Sequence, residues 1–179
     1  MYLGYQNGKI KYYTEEPLDV VMYKLDEIVE TSDEYALDGD EYVKVDAEYI
    51  AQKLQEAKEK KYNEANLKAF EYLESGEAVF EYEEGKSIEA TDGNIAKLGL
   101  YLVKFLMSED YTSTIEWNTK ENENVQLNAE QLSYITEGLG AIQSEVWTVK
   151  FPAYNTRIAN AETKEEVEAI LIDYSAEAE

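Results

Sequence analysis

The stretch from Ile115 to Glu179 constrains the fold of this chain more than any other part of it. Thr114 to Asn118 reads as a strand that turns Trp117 inward. The polar Lys120-Glu121-Asn122-Glu123 loop returns the chain into a second short strand, Asn124 to Leu127, so the two pair as an antiparallel hairpin. Asn128 is placed to cap a helix from Ala129 to about Lys150, because Leu132, Ile135, Leu139, Ile142, Val146 and Val149 recur three and four residues apart. Trp147 falls near the end of that helix, and Pro152 is expected to kink or break it. Thr163-Lys164-Glu165-Glu166 is a capping box opening a closing helix, with Val167, Ile170 and Leu171 expected to face inward. The result is a packed unit without evident chemistry. Its expected core anchors are Trp117, Trp147 and Leu132, together with Phe105 from the helix upstream.

That upstream helix is expected from about Asn94 to Ser108, behind the polar turn Thr91-Asp92-Gly93-Asn94. Ile95, Leu98, Leu100, Tyr101, Leu102, Val103, Phe105, Leu106 and Met107 make it apolar around most of its circumference, which predicts the central core helix. Two strands precede it, Ala78 to Tyr82 and Ser87 to Ala90, joined through Gly85. Further back, Asp46 is a candidate N-cap for a long polar helix, Ala47 to Glu74, ending at Ser75-Gly76. Its apolar stripe is thin: Ile50, Leu54 and Ala57 are followed by Lys61 where another apolar residue is needed. A helix this polar fits an arm joining two parts of a protein.

The first residues read as short strands. Asn7-Gly8 is a strong hairpin signal between Leu3 to Gln6 and Lys9 to Tyr13. Over Asp19 to Thr31, Val20, Val21, Leu25, Ile28 and Val29 fit a helical stripe, but their β-branched content and the adjacent hairpin favour strand. Asp38-Gly39-Asp40 is a turn and Tyr42 to Val45 another short strand. The predicted fold is therefore α+β. A small N-terminal β-hairpin module (1–46) leads into a connecting helix (47–76). An α+β domain (77–179) follows, with short antiparallel strands and about three helices.

Sixteen Lys and Arg face thirty-nine Asp and Glu, a net charge of −23. Such a surface repels phosphate backbones and anionic lipid head groups, so neither nucleic acid nor membrane is an expected partner. No apolar run approaches the roughly 20 residues of a membrane helix. Met1 to Gln6 lacks the features of a signal peptide, which predicts a chain cytosolic at synthesis. Cysteine and histidine are both absent. That removes thiol nucleophiles, thiolate metal sites, the usual general base and the serine and cysteine triads. A hydrolase would depend on carboxylates alone, and no phosphate-binding glycine loop is present. Asp33, Glu34, Asp38, Asp40 and Glu41 crowd one turn with ligands suited to calcium, but their spacing is not that of an EF-hand, and a solvated acidic turn is expected. No cofactor, metal or catalytic residue is assigned. Sixteen tyrosines against four phenylalanines suit half-exposed strands. Short hairpins need a partner for stability, so Tyr2, Tyr5, Tyr12 and Tyr13 are the candidate interface.

The run from Asp46 to Tyr174 resembles a domain of unknown function at the ends of bacteriophage tail and tail-fibre-associated proteins. The likeness lies in the polar helix before Leu73-Glu74-Ser75-Gly76, the Ile115 to Lys120 strand, and the Val125 to Leu132 step from strand to helix. It continues through the Trp147 helix end and the closing Ala161 to Ile170 segment. The Thr31 to Tyr42 run is similar to small β elements that precede that domain. The resemblance implies a non-enzymatic structural role near the tail fibre or baseplate, within a homo- or hetero-oligomer of tail proteins. The protein would be made in the bacterial cytoplasm and located in the virion. A tail-fibre assembly chaperone absent from the virion is the second reading. A third is an acidic DNA mimic that blocks a host nucleic-acid-binding protein, which requires two ordered rows of carboxylates on one face.

Overall fold

Asn7 and Gly8 both take positive φ, 55° and 73°, the backbone that a two-residue hairpin demands. Strand β1 (Tyr2–Gln6) therefore folds straight back onto β2 (Lys9–Thr14). The computed structural model describes residues 1–109 and 111–176. The chain divides into two compact units, Met1–Ala57 and Lys58–Glu179. The boundary falls inside the long helix predicted from Asp46.

In the first unit β1 is the central strand of an antiparallel sheet, flanked by β2 and β3 (Glu27–Glu30). Gly4 lies at its centre, where a larger residue would press on its neighbours. A Cβ there would lie 2.9 Å from side-chain carbons of both Leu18 and Leu25, which pack over the strand. The expected strand across Asp19 to Thr31 forms only in its second half. Asp19 caps one helical turn, α1 (Val20–Tyr23), its carboxylate accepting from the amides of Val21 at 2.8 Å and Met22 at 2.9 Å. This local capping outweighs the β preference of Val20 and Val21, whose side chains stay exposed. A second hairpin joins β4 (Tyr35–Asp38) to β5 (Glu41–Lys44) across Gly39, at φ 64°.

Asp46 caps α2 (Ala47–Glu74) as expected, accepting from the Tyr49 amide at 2.9 Å. In the second unit the buried line of this helix is Ala65, Ala69 and Leu73. Lys61, which interrupts the apolar stripe, buries its stem and donates to the Ile170 carbonyl at 3.3 Å.

Hairpin β6 (Val79–Glu83) and β7 (Lys86–Glu89), helix α3 (Asp92–Ser108), and hairpin β8 (Ile115–Asn118) and β9 (Asn124–Leu127) follow in the predicted order. Helix α4 (Ala129–Glu145) opens on a capping box from Asn128 and Gln131 and carries the core through Leu132, Ile135 and Leu139. Gly138 lets it approach β6. A Cβ at this position would sit 2.4 Å from the Phe80 ring. Gly138→Ala is therefore expected to destabilise the protein by about 1–3 kcal/mol despite the gain in helix propensity. A neutral or stabilising result in urea denaturation would show that the ring moves aside without loss.

The helix does not end at Lys150. A wider π turn, Val146–Lys150, carries it into α5 (Phe151–Asn160), with the Phe151 amide donating to the Val146 carbonyl. This wide turn relieves the clash that Pro152 would cause in a regular helix, so no break occurs. Trp147 lies in it, half-buried, its ring 4.8 Å from Phe70 and 5.5 Å from Phe151. Trp117 is also half-buried against the core, whereas Phe105 and Leu132 are fully inside.

The predicted capping box at Thr163 is present, but its helix, α6 (Lys164–Glu168), is a single turn. The chain then runs extended. Ile170, Ile172 and Tyr174 point inward and Leu171 and Asp173 outward, so Leu171 is exposed and not part of the core as expected. This strap has no strand neighbour among the described residues. Lys68 donates to the Ile172 carbonyl at 3.2 Å, and Lys150 to those of Tyr174 and Ala176 at 2.8 and 2.9 Å. Tyr154 exchanges hydrogen bonds with the Asp173 backbone, accepting from its amide and donating to its carbonyl. Lysines of α2 and of the π turn thus satisfy backbone oxygens that a sheet would otherwise cover.

Candidate contact surface

Thr91 starts α3, its hydroxyl accepting from the Asn94 amide at 3.2 Å, and Glu109 ends it at φ 53°. Between these caps the helix buries one line only. Leu98 and Phe105 are inside, and Ile95 and Leu102 pack on the same core. The reading of α3 as a helix surrounded by core is thus corrected. Its apolar residues exceed what one buried face can take, and the remainder is outside. Leu100 is 70% exposed, Val103 50%, Leu106 50% and Met107 83%. Ala96, Leu100, Val103 and Met107 recur at helical spacing and form one stripe, with Gly99 and Leu106 beside it. Isolated apolar side chains on a surface need no explanation, but a contiguous stripe of them does.

The stripe borders a groove of about 470 Å³ between the second half of α3 and the start of α4. Leu102, Leu106, Tyr111 and Ala129 form its apolar walls, and Asn128, Glu130 and Ser133 its polar rim. On the opposite flank stand Lys97 and Lys104, two turns apart on the helix. Both are exposed, and neither ammonium makes an ion pair among the described residues. Most other lysines of this acidic chain hold its own carboxylates or carbonyls, as do Lys44, Lys53, Lys68 and Lys150, and only Lys24 and Lys60 share the unpaired state of these two among the described residues.

The candidate interface tyrosines lie elsewhere, in the first unit. All four are half-buried. Tyr12 packs its ring 5.0 Å from Tyr23, and Tyr13 sits 5.4 Å from Tyr35 and 5.9 Å from Tyr42. The Tyr13 hydroxyl donates to the Asp33 carbonyl at 3.1 Å. These two rings pack within the first unit on opposite faces of β2. The α3 stripe was hidden in the sequence because a helix apolar all round reads as buried. Which side of it is covered depends on long-range packing.

The acidic turn is neutralised by lysine. Asp33 pairs with Lys44 at 2.6 Å, Asp38 with Lys53 at 2.9 Å, Asp40 with Lys11 at 2.7 Å and Glu41 with Lys9 at 3.2 Å. The hydrogen bond and charge of Lys11 hold the Asp40 carboxyl below the usual carboxylate range. Asp38 and Glu56 push the Lys53 ammonium up. Among the described residues no group of three or more acidic side chains is placed to share a metal ion. The acidic loop of the β8–β9 hairpin is also structural. Glu121 accepts from the hydroxyl and amide of buried Ser87, and these bonds bring its carboxyl down to about 2.

A carboxyl lowered by folding adds stability that is complete above its unfolded value, near 4.5, and is lost as pH falls towards about 2. Glu121→Gln should therefore be less stable than the parent at pH 7, with the difference shrinking across that window. Urea denaturation at a series of pH values checks this. A difference independent of pH would rule out the ionised contact as its cause.

No family model, curated protein or solved structure matches the chain. The likeness to phage tail domains thus rests on the quoted residues alone. No helix among the described residues is long and apolar enough to cross a membrane.

Proposed function

We propose that this protein is a non-enzymatic assembly component that acts through protein–protein contact, with the outer face of α3 as its contact surface. One observation carries the reading: in a chain of net charge −23, α3 turns Leu100, Val103 and Met107 to solvent as one stripe, with Leu106 exposed beside it. Fully burying side chains of this kind is worth about 1.5–3 kcal/mol each, so leaving several exposed is a standing cost that a partner would remove. The absence of histidine and cysteine supports a role in contact over one in bond-making.

A bacteriophage tail is the proposed setting, on the strength of the residue likeness. A structural subunit would be present in purified particles at fixed stoichiometry, and an assembly chaperone would be absent from them. For the surface itself, a photo-crosslinking amino acid at Met107 is expected to trap one discrete polypeptide in cells. The same group at the exposed Glu168 should not. Adducts that are diffuse, or equal at the two sites, would remove α3 as the contact surface.

A further inference from the structure

We infer that the outer face of α3 receives an amphipathic helix of another protein whose apolar stripe is flanked by acidic residues, and this rests on the contact-surface reading above. The shape argues for a helix. Ala96, Leu100, Val103 and Met107 lie in one row along α3, and the small Ala96 and Gly99 allow close approach of a second backbone. A Cβ at Gly99 would meet nothing within 4 Å, so the space beside the row is open.

Charge selects the partner. Lys97 and Lys104 stand along one flank of the row, exposed and without a carboxylate among the described residues. The chain carries thirty-nine acids and only sixteen cations. Two cations left unmatched on the most apolar helix face are complementary to carboxylates two turns apart on a docked helix. A second copy of the chain fits this face poorly. Antiparallel pairing of α3 with itself brings Lys97 of one copy against Lys104 of the other. Parallel pairing offers those lysines only Gly99 and Leu106.

The test uses the full-length protein and three synthetic peptides of about 18 residues. Each is a helix former with leucines at heptad spacing. One carries Glu along the flank and one carries Lys there. The third is a scramble of the Glu peptide. Binding is measured by fluorescence anisotropy at low and physiological salt. The Glu peptide is expected to bind at least about tenfold more tightly than the Lys peptide, with the advantage falling as salt rises. The double variant Lys97→Glu, Lys104→Glu is expected to reverse the preference. Its circular dichroism and melting temperature report whether it is folded.

Equal binding of the Glu and Lys peptides, lost in Leu100→Ser, would overturn the acidic-helix inference and leave α3 standing as a contact face. No binding of any peptide, with a discrete Met107 crosslink still formed in cells, would do the same. Concentration-dependent self-association abolished by Leu100→Ser would make the occupant a second copy and overturn the inference as well.

Discussion

Tyr174→Ala should cost about 3–5 kcal/mol, the range for truncating a buried aromatic side chain. Tyr174 is 2% exposed and belongs to the main core cluster. Its ring lies 5.3 Å from Tyr154 and 6.4 Å from Tyr72, and its hydroxyl donates to the Ala65 carbonyl of α2 at 3.0 Å. Burial pushes its hydroxyl pKa up to about 12. The side chain thus fixes an extended segment that has no strand beside it among the described residues. Tyr174→Phe keeps the packing and loses one hydrogen bond, so its cost should be near 1 kcal/mol. Urea denaturation of the two variants separates the contributions. A cost below about 1 kcal/mol for the alanine variant would show that the strap adds nothing to the core.

The second large effect concerns the two sides of α3. Phe105→Ala removes a side chain that is 6% exposed and should cost about 3–5 kcal/mol. Met107, two residues on and 83% exposed, should change stability by no more than about 0.5 kcal/mol when replaced by serine. The same Met107→Ser change should weaken partner capture. Comparable losses of stability at the two positions would return α3 to the role of a helix covered on every side, and the contact surface would go with it.

Several features were legible because their causes are local. Asp46 and the polar run after it mark the full length of α2. Asn128 caps α4 as its position implies, and Thr163 with Glu166 forms the reciprocal cap read from their spacing. Asn7-Gly8 sets its hairpin unaided. What escaped depends on distant partners. Pro152 signals a break, yet the π turn before it keeps the backbone helical, and that turn has no sequence signature. Lys61 looks like a flaw in an apolar stripe until Ile170 supplies a carbonyl for it. Val20 and Val21 favour strand, but the carboxylate of Asp19 decides for a helical turn. Of the contact surface, each residue was visible and its exposure was not. Leu100 and Leu98 are the same residue type on one helix, and only the tertiary packing separates them.

The lysine-held strap has a consequence for how this architecture drifts. Lys61, Lys68 and Lys150 grip carbonyl oxygens, which every amino acid possesses. Ile170, Ile172 and Tyr174 are fixed by packing and Asp173 by the amide and hydroxyl of Ser175, while Leu171 faces solvent. A second chain can therefore keep the backbone of this clasp and its lysine contacts while carrying another residue in place of Leu171.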